Sequence, residues 1–137
     1  MQIVRFTVAY WCVFIAVLLP LACAWLAKSR GFERPRKEGG YDNRDPRVWL
    51  AGQTDWRARA NAAQANSFEA LPFFIGAVII AHQLGAAQTR VDILAVLFVT
   101  LRIIYIAMYV AGLATARSTF WTLALLVNAG ILFAGYR

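Results

Sequence analysis

The sequence predicts an all-α membrane protein built as a bundle of four transmembrane helices, and three observations carry that prediction. First, 61% of the 137 residues are hydrophobic and only 15% are charged, whereas a water-soluble domain is about half apolar and about a quarter charged. The apolar excess must face something other than water. Second, the apolar residues gather into runs of about 20 residues or more, the length a helix needs to cross a bilayer. Third, nine of the 14 Lys and Arg residues fall between Lys28 and Arg59. Short loops rich in Lys and Arg stay on the cytoplasmic side of a membrane. This accounts for the clustering without nucleic acid, so the net charge of +7 is not read as a nucleic-acid-binding surface.

Residues 3–27 are apolar apart from Arg5 and Thr7 and form the first span. A cleaved signal peptide is the competing reading, with Ala22-Cys23-Ala24 as a small-residue cleavage site. The run, however, is longer than the usual core of about 7–15 residues, and a strongly basic segment follows it. Cys12 and Cys23 share this run about 16 Å apart along a helix axis, which is beyond disulfide reach. Both read as small apolar packing residues.

Residues 28–55 form one long polar loop, rich in Gly and Pro, with a turn near Glu38-Gly39-Gly40. The second span, about residues 56–85, has two halves: RARANAAQANSFE is polar and alanine-rich, and ALPFFIGAVIIAHQLG is apolar. The polar half must face protein or water, and Pro72 stands where a kink would separate the halves. Residues 91–113 and 118–136 are the third and fourth spans, with 114–117 left as a tight hairpin. By the distribution of positive charge, loop 28–55 and the hairpin holding Arg117 are cytoplasmic, and both termini lie on the opposite side.

Ionisable residues inside spans are costly and are read first as functional or paired. Glu69 is thirteen residues beyond Trp56 and Arg102 fourteen residues before Ala116, each about 20 Å of helix rise, so they can meet at one depth, with a register-fixing ion pair as the plainer alternative. On the second helix Arg59, Asn66 and Glu69 fall within about 80° of arc. On the third, Arg102, Tyr105 and Tyr109 make a stripe at spacings of three and four. Such a stripe can be mere packing. Taken with the carboxylate and amides, though, it suits a small zwitterionic ligand, because arginine binds carboxylates bidentately and glutamate can hold an ammonium. Arg117 sits at the amino end of the fourth helix, where the helix dipole also favours an anion. A thiol bound there would ionise more readily, while the competing reading is a simple membrane anchor. His82 is alone and no CxxC or HExxH spacing occurs, so no metal is expected.

The string Arg59-x-x-x-x-Gln64-x-Asn66-x-x-Glu69-x-x-Pro72, followed by Arg102-x-x-Tyr105-x-x-x-Tyr109 and Arg117, resembles the membrane-associated proteins in eicosanoid and glutathione metabolism, the MAPEG family. The phrases YDNRDPR and WRARANAAQANSFEALPFF look most like its bacterial members, which would put the chain in a bacterial inner membrane. The resemblance covers nearly the whole chain. It implies a homotrimer, with glutathione as co-substrate between neighbouring subunits near the cytoplasmic side and a lipophilic second substrate arriving through the bilayer. It further implies that Arg59, Gln64, Asn66, Glu69, Arg102, Tyr105 and Tyr109 hold glutathione, with Arg30 at one of its carboxylates, and that Arg117 stabilises the thiolate. The alanines at 58, 60, 62, 63 and 65 fit close helix approach. The chain departs from several catalytic members at Ala62, where they have arginine, and at Ala70, where they have an aromatic residue.

The leading expectation is a glutathione transferase or peroxidase acting on lipophilic electrophiles, with no eicosanoid role. The alternative is a non-catalytic lipid-binding or scaffolding protein of the same fold. A transporter using Glu69 and Arg102 is disfavoured, because internal repeats and paired broken helices are lacking.

Overall fold

A computed structural model describes residues 5–137, and among them all regular structure is helical. The helices are α1 (Val8–Lys28), α2 (Pro46–Ala51), α3 (Trp56–Gln83), α4 (Gln88–Val110) and α5 (Ala114–Leu132), with single 3-10 turns at Gly31–Glu33 and Arg36–Glu38. The expected start of the first span at residues 3 and 4 lies outside the described residues. The stretch Val8–Glu33 and helices α3 and α4 are each long and apolar enough to cross a membrane. The chain is thus an all-helical membrane bundle.

Local chemistry sets the ends of these helices. Thr7 caps α1, its hydroxyl accepting from the Tyr10 amide, and Asp92 Oδ1 accepts the Ala9 amide from across the bundle at 2.9 Å. Two of the amides that a helix start leaves without partners are satisfied in this way. Asp55 caps α3 through the Arg57 amide. Pro72 lies inside α3 without ending it, and Pro20 does the same in α1.

Two expectations need correction. The turn between the last two helices is Ala111-Gly112-Leu113, not residues 114–117, and α5 begins at Ala114. Gly112 adopts φ +78, the left-handed conformation that glycine reaches without a Cβ clash. The Leu113 amide reaches back to the Met108 carbonyl and the Gly112 amide to Tyr109, a helix-ending pattern that needs a glycine at this point. Arg117 therefore stands within the first turn of α5. The polar loop is also more ordered than expected. Pro46, whose missing amide suits a first helical position, opens the six-residue α2. The expected turn at Gly39 is present, with φ +86.

α3 and α4 form the middle of the bundle; α1 packs mainly on α3, and α5 mainly on α4. The core alternates small and large side chains. Ala9, Cys12 and Ala16 of α1 and Ala77 and Ala81 of α3 are buried beside Phe74 and Phe98, whose rings stack at 4.2 Å. Small residues at these seams let the backbones approach, which is how packing gains contact where lipid supplies no hydrophobic drive. Cys12 and Cys23 are both free and buried.

Candidate functional site

The polar residues of α3, α4 and α5 converge on one groove. Its outer part, about 460 Å³, is lined by Asn66, Tyr105, Tyr109, Arg117, Ser118, Trp121 and Thr122. Along it runs a ladder of two arginines and two tyrosines. The Arg102 guanidinium lies 4.2 Å from the Tyr105 ring centre, and the Tyr105 and Tyr109 rings meet edge to face at 5.7 Å. The Arg117 guanidinium closes the series 4.6 Å from Tyr109. Each cation sits against an electron-rich ring face, so both guanidiniums are held in place before any ligand arrives. Spacing builds this order: Arg102, Tyr105 and Tyr109 share one face of α4, and the three-residue turn brings the first turn of α5 back against its end.

Arg102 is only 3% exposed. A buried cation needs acceptors, and Arg102 finds them on α3: Nη2 donates to Asn66 Oδ1 at 2.9 Å and to Ser67 Oγ at 3.4 Å. Asn66 Nδ2 in turn donates to Glu69 Oε2 at 3.4 Å. The amide thus stands between the two ionisable groups. Among the described residues the ion pairs are Arg36–Asp42 and Arg57–Asp55, and Glu69 and Arg102 do not form one. Because α4 ends at Val110, Arg102 lies about 12 Å from that end rather than the expected 20 Å or so, level with Asn66 and Ser67 rather than with Glu69. Glu69 is exposed on the groove's inner side, where it remains available to a cation.

The other candidates lie elsewhere. Gln64 lines a separate groove of about 600 Å³ on the opposite face of α3, beside Lys28, Arg47 and Asn61 and floored by Ala58, Ala62 and Ala65. Arg59 donates from Nε to the Val110 carbonyl at 2.9 Å, satisfying an acceptor at the end of α4. Arg30 is exposed just beyond α1, its guanidinium 6.0 Å from the Trp56 ring centre. The sequence reading missed Ser67, Trp121 and Asn128. Helical spacing from Arg117 points to two of them, since residues 117, 121 and 128 share one face of α5.

At the loop end of α3, the Arg57 guanidinium bonds both Asp55 oxygens at 2.9–3.2 Å. This side-chain bond, followed by the bond from the Arg57 amide, lowers the Asp55 pKa to about 2.

The model of the MAPEG family matches residues 8–136. The chain belongs to the MAPEG family. No curated protein and no solved structure matches it. As a MAPEG protein it is an integral membrane protein of a family concerned with glutathione and eicosanoid metabolism. Within this MAPEG chain, Arg102, Tyr105, Tyr109 and Arg117 of the motif come together along α4 and α5, while Gln64 and Arg30 are turned to other surfaces.

Proposed function

We propose that the protein is a membrane-bound glutathione-dependent transferase or peroxidase, in which Arg117 stabilises the glutathione thiolate for attack on a lipophilic electrophile or hydroperoxide. The observation that carries this reading is the Arg102–Tyr105–Tyr109–Arg117 ladder, fixed by ring contacts and opening on a groove of about 460 Å³. Glutathione offers two carboxylates, an ammonium and a thiol. Arginine forks match carboxylates, Glu69 matches the ammonium, and Arg117 at the start of α5 combines its own charge with the helix dipole. In the transferase reaction the thiol proton passes to solvent. The thiolate then forms the new sulfur–carbon bond as the leaving group departs with its electron pair.

The same reading includes α5 as a fourth crossing, loop 28–55 on the cytoplasmic side, and a homotrimer. Support for the trimer is that Gln64 lines a groove separate from the ladder of its own chain and Arg30 rests against Trp56. Both lie on outer surfaces that a neighbouring copy could bring to the groove, and the face around Gln64 is floored by alanines that permit close approach.

The test is an ultraviolet difference spectrum of the purified protein titrated with glutathione, run beside Arg117→Ala. The expected result is a saturable thiolate band that the variant loses while keeping its oligomeric state. Binding without a band would overturn the role of Arg117. No binding at all, with lipid binding retained, would favour the non-catalytic lipid-binding or scaffolding alternative.

A further inference from the structure

Inward of the ladder the groove continues into a half-enclosed chamber of about 170 Å³ between α3, α4 and α5, and Asn66 and Trp121 wall both spaces. Phe73, Phe98 and Leu125 make one side of its lining apolar, Glu69 and Arg102 stand at its border with the ladder, and Ala70 contributes only a methyl group where a larger side chain would occupy the space. Asn128 completes the wall. It is 2% exposed, and its Oδ1 has no hydrogen-bond partner among the described residues. A buried amide oxygen without a donor is uncommon and costly, and the thiolate chemistry makes no use of it. The size is also informative, because an apolar protein cavity of about 150 Å³ accepts benzene.

We propose that this chamber is a binding site for a single aromatic ring bearing a hydroxyl group. The ring lies among Phe73, Phe98 and Leu125, and the hydroxyl pairs with the Asn128 carboxamide. Aromatic walls favour a ring over an alkyl tail through edge and face contacts. The carboxamide favours a hydroxylated ring over a plain one, because only the former gives the buried amide a partner. Ala70 sets the room for the ring. The chamber shares Asn66, Glu69 and Arg102 with the glutathione reading, but the ring site itself requires no thiol and is tested without glutathione.

The experiment is a fluorine NMR titration of para-fluorophenol, without glutathione, against the full-length protein in lipid nanodiscs, with para-fluorotoluene and empty nanodiscs as controls. The expected result is saturable binding beyond simple partition into lipid, with the phenol held about tenfold tighter than the toluene, the worth of about one buried hydrogen bond. Asn128→Leu should abolish that preference while the ring still binds, and Ala70→Phe should abolish saturable binding of both probes. Signals matching empty nanodiscs would mean that the chamber holds only water or lipid and would overturn the proposal. Equal affinity for the two probes would overturn it too, as would binding indifferent to Ala70→Phe. Should thermal unfolding show either variant to be misfolded, the contrast between the two probes on the unaltered protein still decides the matter.

Discussion

The two faces of α3 differ in how their polar groups are held. On the face toward α4 and α5, Asn66 and Ser67 are tied to Arg102. The arginines beyond them rest on tyrosine rings, so the charges are fixed before any ligand binds. On the opposite face, Gln64 and Asn61 rise from a floor of alanines in a wider groove, and neither side chain makes a hydrogen bond among the described residues. One face is preorganised for recognition, which saves the ordering cost of binding. The other is smooth and undemanding, which suits a second helix surface at close range. A single helix can thus supply half of one site and half of another, with Asn66 and Gln64 only two positions apart.

The sharpest way to break this contrast is Arg117→Ala, which should lower glutathione-dependent turnover by about 100-fold, the usual effect of losing one donor to a developing anion. Turnover on a lipophilic electrophile measures it, and unchanged turnover would remove Arg117 from the chemistry. Arg102→Met comes next. It leaves Asn66 Oδ1 without its donor and should destabilise the fold by about 1–3 kcal/mol, read as a lower unfolding midpoint together with weaker glutathione binding. On the alanine face the expectation is reversed. Gln64→Ala should leave the unfolding midpoint unchanged yet weaken glutathione binding about fivefold, the worth of about one hydrogen bond, and calorimetric titration would reveal it. An equal loss of stability would mean that this face is not the permissive one.

The smallest effect concerns pH. The folded Asp55 pKa lies near 2, below its ordinary value of 3.8. The stabilisation it gives is therefore fully present above about pH 4 and is lost as pH falls through 2. Arg57→Gln should move the Asp55 titration back toward the ordinary value, as carboxyl NMR would show.

Much of this architecture was legible in the sequence, because apolar run length reports directly on membrane crossing. That Arg102, Tyr105 and Tyr109 share one face of their helix was legible too, from their spacing. What failed was the partner. A neutral amide, not the carboxylate of Glu69, receives Arg102, since depth counted from a misplaced helix end carries the error inward. That end was misplaced for a physical reason. Ala114, Thr115 and Ala116 look no more helical than Ala111 and Leu113, and only the left-handed glycine at 112 reveals where the chain turns. Asn128 escaped notice because a neutral polar residue stands out less in an apolar run than a charged one does.

The turn at Ala111-Gly112-Leu113 also sets a tolerance on the length of the chain. Arg59 grips the Val110 carbonyl from α3 and lies against Gly112, so the start of the turn is anchored. Arg117 then meets Tyr109 only through the pitch of the residues between them. One inserted residue would rotate α5 by about 100° and swing Arg117 away from the ring. The shortest connection of the bundle is thus the one that meters its site.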